Sequence, residues 1–91
     1  MQALVAFDVA DDHRRHRITR VLLDYGQRVQ ESVFWVECED ELLDRIRERL
    51  GCVIEVSEDN IWMVVICRTC AGKVETLGVA RKPEIPEYFI L

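Results

Sequence analysis

The chain opens on an apolar run, Ala3-Leu4-Val5-Ala6-Phe7, that passes into Asp8-Val9-Ala10-Asp11-Asp12. A run this short, bounded by charge and followed at once by a helical pattern, predicts a buried β-strand. Ile18, Val21, Leu22 and Tyr25 then recur at i, i+3, i+4 and i+7, the spacing of one helix face. Asp11 and Asp12 stand where an N-cap and a first helical turn take carboxylates, and Gly26 stands where a C-terminal cap is expected. Residues 27–38 are rich in β-formers, but strict alternation would put Val33 on the side of Glu31 and Glu37. A bulge or a tight reversal at Gln30-Glu31-Ser32 would repair the pattern, which fits one kinked strand or two short ones.

A second helix is expected over residues 39–50. Glu39, Asp40 and Glu41 occupy its first turn, Arg47 and Arg49 its last, Gly51 follows, and Leu42, Leu43, Ile46 and Leu50 form the apolar stripe. Its charges read as structural. Residues 52–59 form a connection with some β character, and the near-continuous apolar run at 61–67 predicts a central strand. A short strand is expected at 73–77, closed by Gly78; Pro83 and Pro86 then mark an extended tail that ends in Tyr88-Phe89-Ile90-Leu91 and should pack on a partner or on its own sheet. This order predicts an α+β fold, a ferredoxin-like two-layer sandwich with an antiparallel sheet and two helices on one face. Residues 1–78 form the domain, and residues 79–91 form a tail for dimer packing.

At 91 residues the chain makes one domain, small enough that dimerisation would help to bury its core. The absence of a membrane-length apolar run and of a signal-like amino terminus predicts a soluble, cytoplasmic protein with no membrane partner. Cys38, Cys52, Cys67 and Cys70 are then expected to be reduced. Cys67-Arg68-Thr69-Cys70 has metal-ligand and redox spacing, but no second pair completes a zinc tetrahedron. The pair is expected to close a strand rather than open a helix, so no chemistry is assigned to it.

The net charge of -5 disfavours nucleic acid as a partner, yet residues 13–30 hold Arg14, Arg15, Arg17, Arg20 and Arg28 against Asp24 alone. On the helical wheel Arg17 and Arg20 share the outer side with His13 and Asp24. Arg14 and Arg15 flank the apolar stripe and are expected to reach the carboxyl end of the first strand. His13 and His16 read as solvated.

Asp8 carries the functional argument. A carboxylate ending a core strand is costly to desolvate unless an arginine, a protonated neighbour or a metal ion meets it. Mg2+, or another divalent cation such as Mn2+, commonly takes one or two carboxylates and fills its remaining positions with water and substrate phosphate. The ion would activate a bound water and polarise a phosphoryl oxygen while arginine forks hold the phosphates. One Asp8 per chain gives two across a dimer axis.

Several sequence features carry a family resemblance. They are Phe7-Asp8-Val9, Asp11-Asp12 with Arg14-Arg15 and Arg17, Tyr25-Gly26, Arg28-Val29-Gln30 with Ser32-Val33-Phe34, and Lys73-Val74-Glu75 with Leu77-Gly78. In their order and spacing the chain resembles the small CRISPR-associated endoribonuclease-type protein, the second universal CRISPR protein, which partners the CRISPR integrase in spacer acquisition. The resemblance implies a ferredoxin-like homodimer whose C-terminal strand joins the partner's sheet, and metal-dependent cleavage of single-stranded RNA or double-stranded DNA. It makes Asp8 the catalytic and metal-binding residue, places Arg15, Arg17 and Arg28 at positions linked to activity or nucleic-acid contact, and gives Phe7, Ser32 and Phe34 the shaping of the site. It also implies a second role, bridging two integrase dimers and holding duplex prespacer. A non-catalytic scaffold using Arg14, Arg15, Arg17 and Arg28 for that task is the alternative to the nuclease. A metabolite-binding regulatory domain is a third class, disfavoured because no Gly-rich loop accompanies the strand ends. The chain departs from the family pattern at Phe7, where a tyrosine is common, and at Trp35, where an acidic residue is frequent. Glu37, on the same side of an ideal strand as Trp35, is the substitute carboxylate.

Overall fold

The computed structural model describes residues 2–37 and 39–78. Alternation along β1 (Gln2–Asp8) sets the layers. Ala3, Val5 and Phe7 are buried in the core, while Gln2, Leu4, Ala6 and Asp8 face the opposite way. β1 pairs antiparallel with β3 (Val33–Glu37) on one side and with β4 (Asn60–Ile66) on the other; β2 (Gly26–Gln30) adds outside β3, for an order β2-β3-β1-β4. α1 (Asp12–Leu23) contributes Ile18, Val21 and Leu22 to the core, and α2 (Asp40–Gly51) contributes Leu43, Ile46 and Leu50. Both helices therefore bury their stripes against one sheet face, and the α+β, ferredoxin-like architecture is as expected. Among the described residues no helix is long and apolar enough to cross a membrane.

Residues 27–37 use both devices that the sequence allowed. A two-residue reversal at Glu31 and Ser32 separates β2 from β3, and the register shifts between Arg28 and Gln30. This insertion puts Phe34 into the core while leaving Glu31 exposed.

Several local expectations change. Asp24, not Gly26, caps α1 in an ordinary right-handed conformation. Gly26 opens β2, where an added Cβ would lie 2.3 Å from the Trp35 carbonyl oxygen; the absence of a side chain is what lets the two strands approach. β4, which holds all but the last residue of the apolar run at 61–67, lies at the end of the strand row among the described residues, and Trp62, Val64 and Val65 are about half exposed. β1 takes the central place because it pairs on both sides. Residues 52–59 are turns without a strand, and no strand forms at 73–77. Cys67 does not merely close β4: it is the N-cap of a short helix, α3 (Arg68–Ala71). The expected tail at 79–91 lies outside the described residues.

Candidate nucleic-acid and metal site

Of the sequence-predicted residues, Asp8, Phe7, Ser32, Phe34, Arg15 and Arg28 gather around the carboxyl end of β1, on two faces of the sheet, whereas Arg14 and Arg17 lie elsewhere. Phe7 points into the core and stacks on Phe34, ring centroids 6.3 Å apart at 22°. Its backbone N–H donates to the Ser32 carbonyl at 3.0 Å, which ties the β2–β3 reversal to the strand end. Arg28 lays its guanidinium over the Phe34 ring, 5.5 Å from the centroid. Phe7, Ser32, Phe34 and Arg28 are thus one unit, and the site-shaping trio holds an arginine.

Arg15 reaches the strand exit as expected. Its guanidinium donates to the Val9 and Ala10 carbonyls at 3.0 and 3.3 Å and pairs with the Asp12 carboxylate. Together with Arg28, His16, Thr19, Asp12 and Glu31 it lines an open polar hollow between α1 and β2. His16, read from the sequence as solvated, and Thr19, not singled out there, also line this hollow; Thr19 stands at i+4 from Arg15, and its hydroxyl donates to the Arg15 carbonyl at 3.0 Å.

Arg14 is occupied elsewhere. It forks onto Asp59, Nε to Oδ2 at 2.7 Å and Nη2 to Oδ1 at 3.1 Å, and donates to Glu58 at 2.9 Å, with Asp11 at 3.7 Å. The Asp59 side chain is 1% exposed and also accepts the Glu55 N–H at 2.8 Å. Surrounded by three carboxylates, Arg14 clamps the α2–β4 loop to the start of α1 instead of offering its charge to a ligand. Arg17 lies apart from the hollow, in a second groove with Arg20 and Arg49; Arg49 is itself held by Asp24 at 3.0 Å and by the Tyr25 hydroxyl at 2.9 Å.

The clamp predicts acid lability. Arg14 first, and then the Glu55 N–H, hold the Asp59 carboxyl below its ordinary value of 3.8. A depressed folded value contributes stability that is complete above the unfolded value and lost as pH falls through the folded one. Melting midpoints followed from about pH 6 down to about pH 2 should fall more steeply in the wild type than in Asp59→Asn. At neutral pH the variant should melt roughly 5–10 °C lower. Parallel pH profiles would show that the clamp contributes nothing.

Asp8 differs from its expectation. It sits opposite Asn60 on the helix-free face and is exposed, so no desolvation cost demands a partner. No hydrogen bond or ion pair holds its carboxylate among the described residues. Glu37 cannot assist it within the chain. It pairs in register with Gln2 at the other end of β1, about 20 Å away at strand rise. Trp35, adjacent on the same face, is buried with its indole N–H donating to the Gln2 side chain.

No group of three His, Cys, Asp or Glu side chains able to hold a metal ion occurs among the described residues. Among the described residues Asp8 thus stands as a single carboxylate on its face at the end of β1, without a second acidic ligand grouped with it. That suits a hard cation bound mostly by water and phosphate with one carboxylate from each of two copies, and does not suit an all-protein cage.

Comparison with known proteins gives this arrangement a context. A CRISPR-associated endonuclease Cas2 of Thermus thermophilus is 37% identical over 87 residues, covering 96% of this chain and 92% of its own. A solved Thermus thermophilus protein, described only as hypothetical, superposes with a TM-score of 0.82 at 35% identity over 91% of this chain and 96% of its own. The crystal structure of Streptococcus pyogenes Cas2 at pH 6.5 superposes with a TM-score of 0.78 at 32% identity, covering 86% of this chain and all of that one. With the family model for CRISPR associated protein Cas2 matching residues 1–74, the stretch that holds Asp8, the arginines and the Phe7–Phe34 stack, the chain belongs to the Cas2 family.

Proposed function

We propose that the protein is a metal-dependent endonuclease of the CRISPR system that cuts single-stranded RNA, double-stranded DNA or both, as a cytoplasmic homodimer using Asp8 from each copy. The carrying observation is an exposed carboxylate at the end of β1, unpaired among the described residues, beside a strand exit braced by Arg15 and a ring stack that carries Arg28. Trp62 and Val64 are exposed on the face that bears Asp8. A second copy docked there would bury them and bring the carboxylates towards one another. The endonuclease and endoribonuclease names of the relatives agree with this reading.

When bound, Mg2+ or Mn2+ would lower the pKa of a coordinated water and polarise the phosphoryl oxygen. Asp8 would supply the protein ligand. Arg28, pre-oriented on Phe34, offers N–H donors to a phosphate and offsets charge that develops on it. Arg15 orients the residues that follow Asp8, and the exposed Arg17 extends the positive surface for the backbone. Arg14 serves by holding the first turn of α1 in place.

A second reading, a non-catalytic scaffold that holds duplex prespacer between CRISPR integrase dimers, is favoured by the lone carboxylate and by the exposed Arg17 and Arg28. One assay separates the two. Labelled single-stranded RNA and double-stranded DNA are incubated with light-scattering-verified dimer in Mg2+ and in EDTA. Cleavage in Mg2+ that EDTA abolishes is the expected result. Activity indifferent to EDTA would sink the metal mechanism, and silence accompanied by duplex binding that weakens steeply with salt would install the scaffold.

A further inference from the structure

The function above leaves one pair of reactive groups unused. Cys67 and Cys70 are both exposed, at the point where the chain leaves the end of β4. Cys67 caps α3, and its sulfur accepts the Cys70 backbone N–H at 3.4 Å. Ala71, fully buried, anchors the turn that holds them. An i, i+3 pair on a helical turn has its Cβ atoms about 5–6 Å apart, so closing to the roughly 3.5–4.5 Å of a disulfide takes a shift of about 1–2 Å in the backbone of this short turn together with side-chain rotation.

We propose that Cys67 and Cys70 form a redox-active dithiol that closes to an intrachain disulfide by exchange with small-molecule disulfides of the glutathione class. The Cys67 thiolate attacks one sulfur of the small disulfide, forming a mixed disulfide and releasing one thiolate. Cys70 then gives up its proton, and its sulfur displaces the second small thiolate from Cys67. The protein has lost two protons and two electrons, and the small disulfide has become two thiols.

The two sulfurs divide these roles by environment. Donation from the Cys70 N–H and thiol draws the Cys67 thiol below its ordinary value, making it the attacking group. Cys70, as the proton donor to Cys67, is pushed up and serves as the resolving group. Arg68 and Lys73 add positive charge beside the pair. A tetrahedral zinc site is the less favoured use of these thiols, since no third ligand joins them among the described residues.

Trypsin makes the test direct, because it cuts after Arg68 and separates the two cysteines. The full chain is reduced, desalted, exposed to oxidised glutathione, trapped with excess N-ethylmaleimide at mildly acidic pH, digested and read by mass spectrometry. The expected product joins the peptide of residues 69–73 to the peptide of residues 50–68, and dithiothreitol reverses it. The longer peptide also contains Cys52, so the same product must persist in Cys52→Ser. Cys70→Ser should stop at a glutathione adduct on Cys67, and in Cys67→Ser the Cys70 thiol should react about tenfold more slowly than Cys67 does in Cys70→Ser. The proposal is overturned if the wild type carries only separate glutathione adducts, if the link vanishes in Cys52→Ser, or if both thiols stay reduced while Cys52 reacts.

Discussion

Asp8→Ala is expected to abolish metal-dependent cleavage, by about a hundredfold or more, while leaving the fold and nucleic-acid binding intact. The size follows from what a metal centre supplies, an activated water and neutralised charge on the phosphoryl group, since each tenfold in rate needs only about 1.4 kcal/mol of barrier. The selectivity follows from the position of Asp8. It is exposed, contributes nothing to the core and has no partner to orphan among the described residues, so the melting midpoint should stay within about 2 °C of the wild type. Removing a carboxylate from a phosphate-binding surface should hold or slightly raise duplex affinity, whereas Arg28→Ala should lower it and flatten its salt dependence. Cleavage rate, melting midpoint and a salt titration of binding on the same preparation decide the matter. Retained cleavage in Asp8→Ala would place the chemistry elsewhere.

Phe34→Ala is expected to be the most damaging change in the site region for a different reason. Phe34 is fully buried, stacks on Phe7 and carries the Arg28 guanidinium on its outer side. Deleting such a ring costs about 3–5 kcal/mol in transfer and cavity free energy. A domain of this size holds only about 5–15 kcal/mol in all, so about a fifth or more of the stability goes with one side chain. Phe34→Leu, which keeps most of the volume, should cost less than about 1.5 kcal/mol. Urea unfolding of the two variants tests the ordering, and a loss below about 1 kcal/mol for Phe34→Ala would contradict the packing described. Arg28→Ala should be nearly neutral in the same experiment, because an exposed cation over a ring contributes only about 0.5–1 kcal/mol.

These two residues show how the site divides between stability and chemistry. Phe34 and Phe7 fix the strand end, Ser32 ties the β2–β3 reversal to it, and Arg15 braces the chain that leaves it. Asp8 projects from this rigid support without contributing to it. A functional carboxylate placed this way is free to meet a cation, and its substitution is informative because the frame does not depend on it.

Local periodicity was enough to determine the two helices, the first strand, the faces they bury and the α+β class, because each pattern repeats within one element and the core reads it directly. The stripes of α1 and α2 and the alternation of β1 appear in the structure nearly residue for residue. Asp8 and the basic stretch after it were also legible, since charge set against an apolar run stands out in one dimension. Partnership was not. Arg14 looks like Arg15 in the sequence, but Asp59, 45 residues away, takes it into a clamp, while Arg15 turns back on Val9 and Ala10. Glu37 shares an ideal strand face with Trp35 but is paired in register with the far end of β1, away from Asp8. The run at 61–67 has the composition of a central strand, yet β4, which holds most of it, ends the row among the described residues, because which strand pairs on both sides depends on how the whole chain closes. Cys67 became a helix cap only when the chain turned at the end of β4. Side-chain type and spacing are local properties, but burial, pairing and charge neutralisation depend on distances set by long-range contacts, and those were decided by the tertiary structure alone.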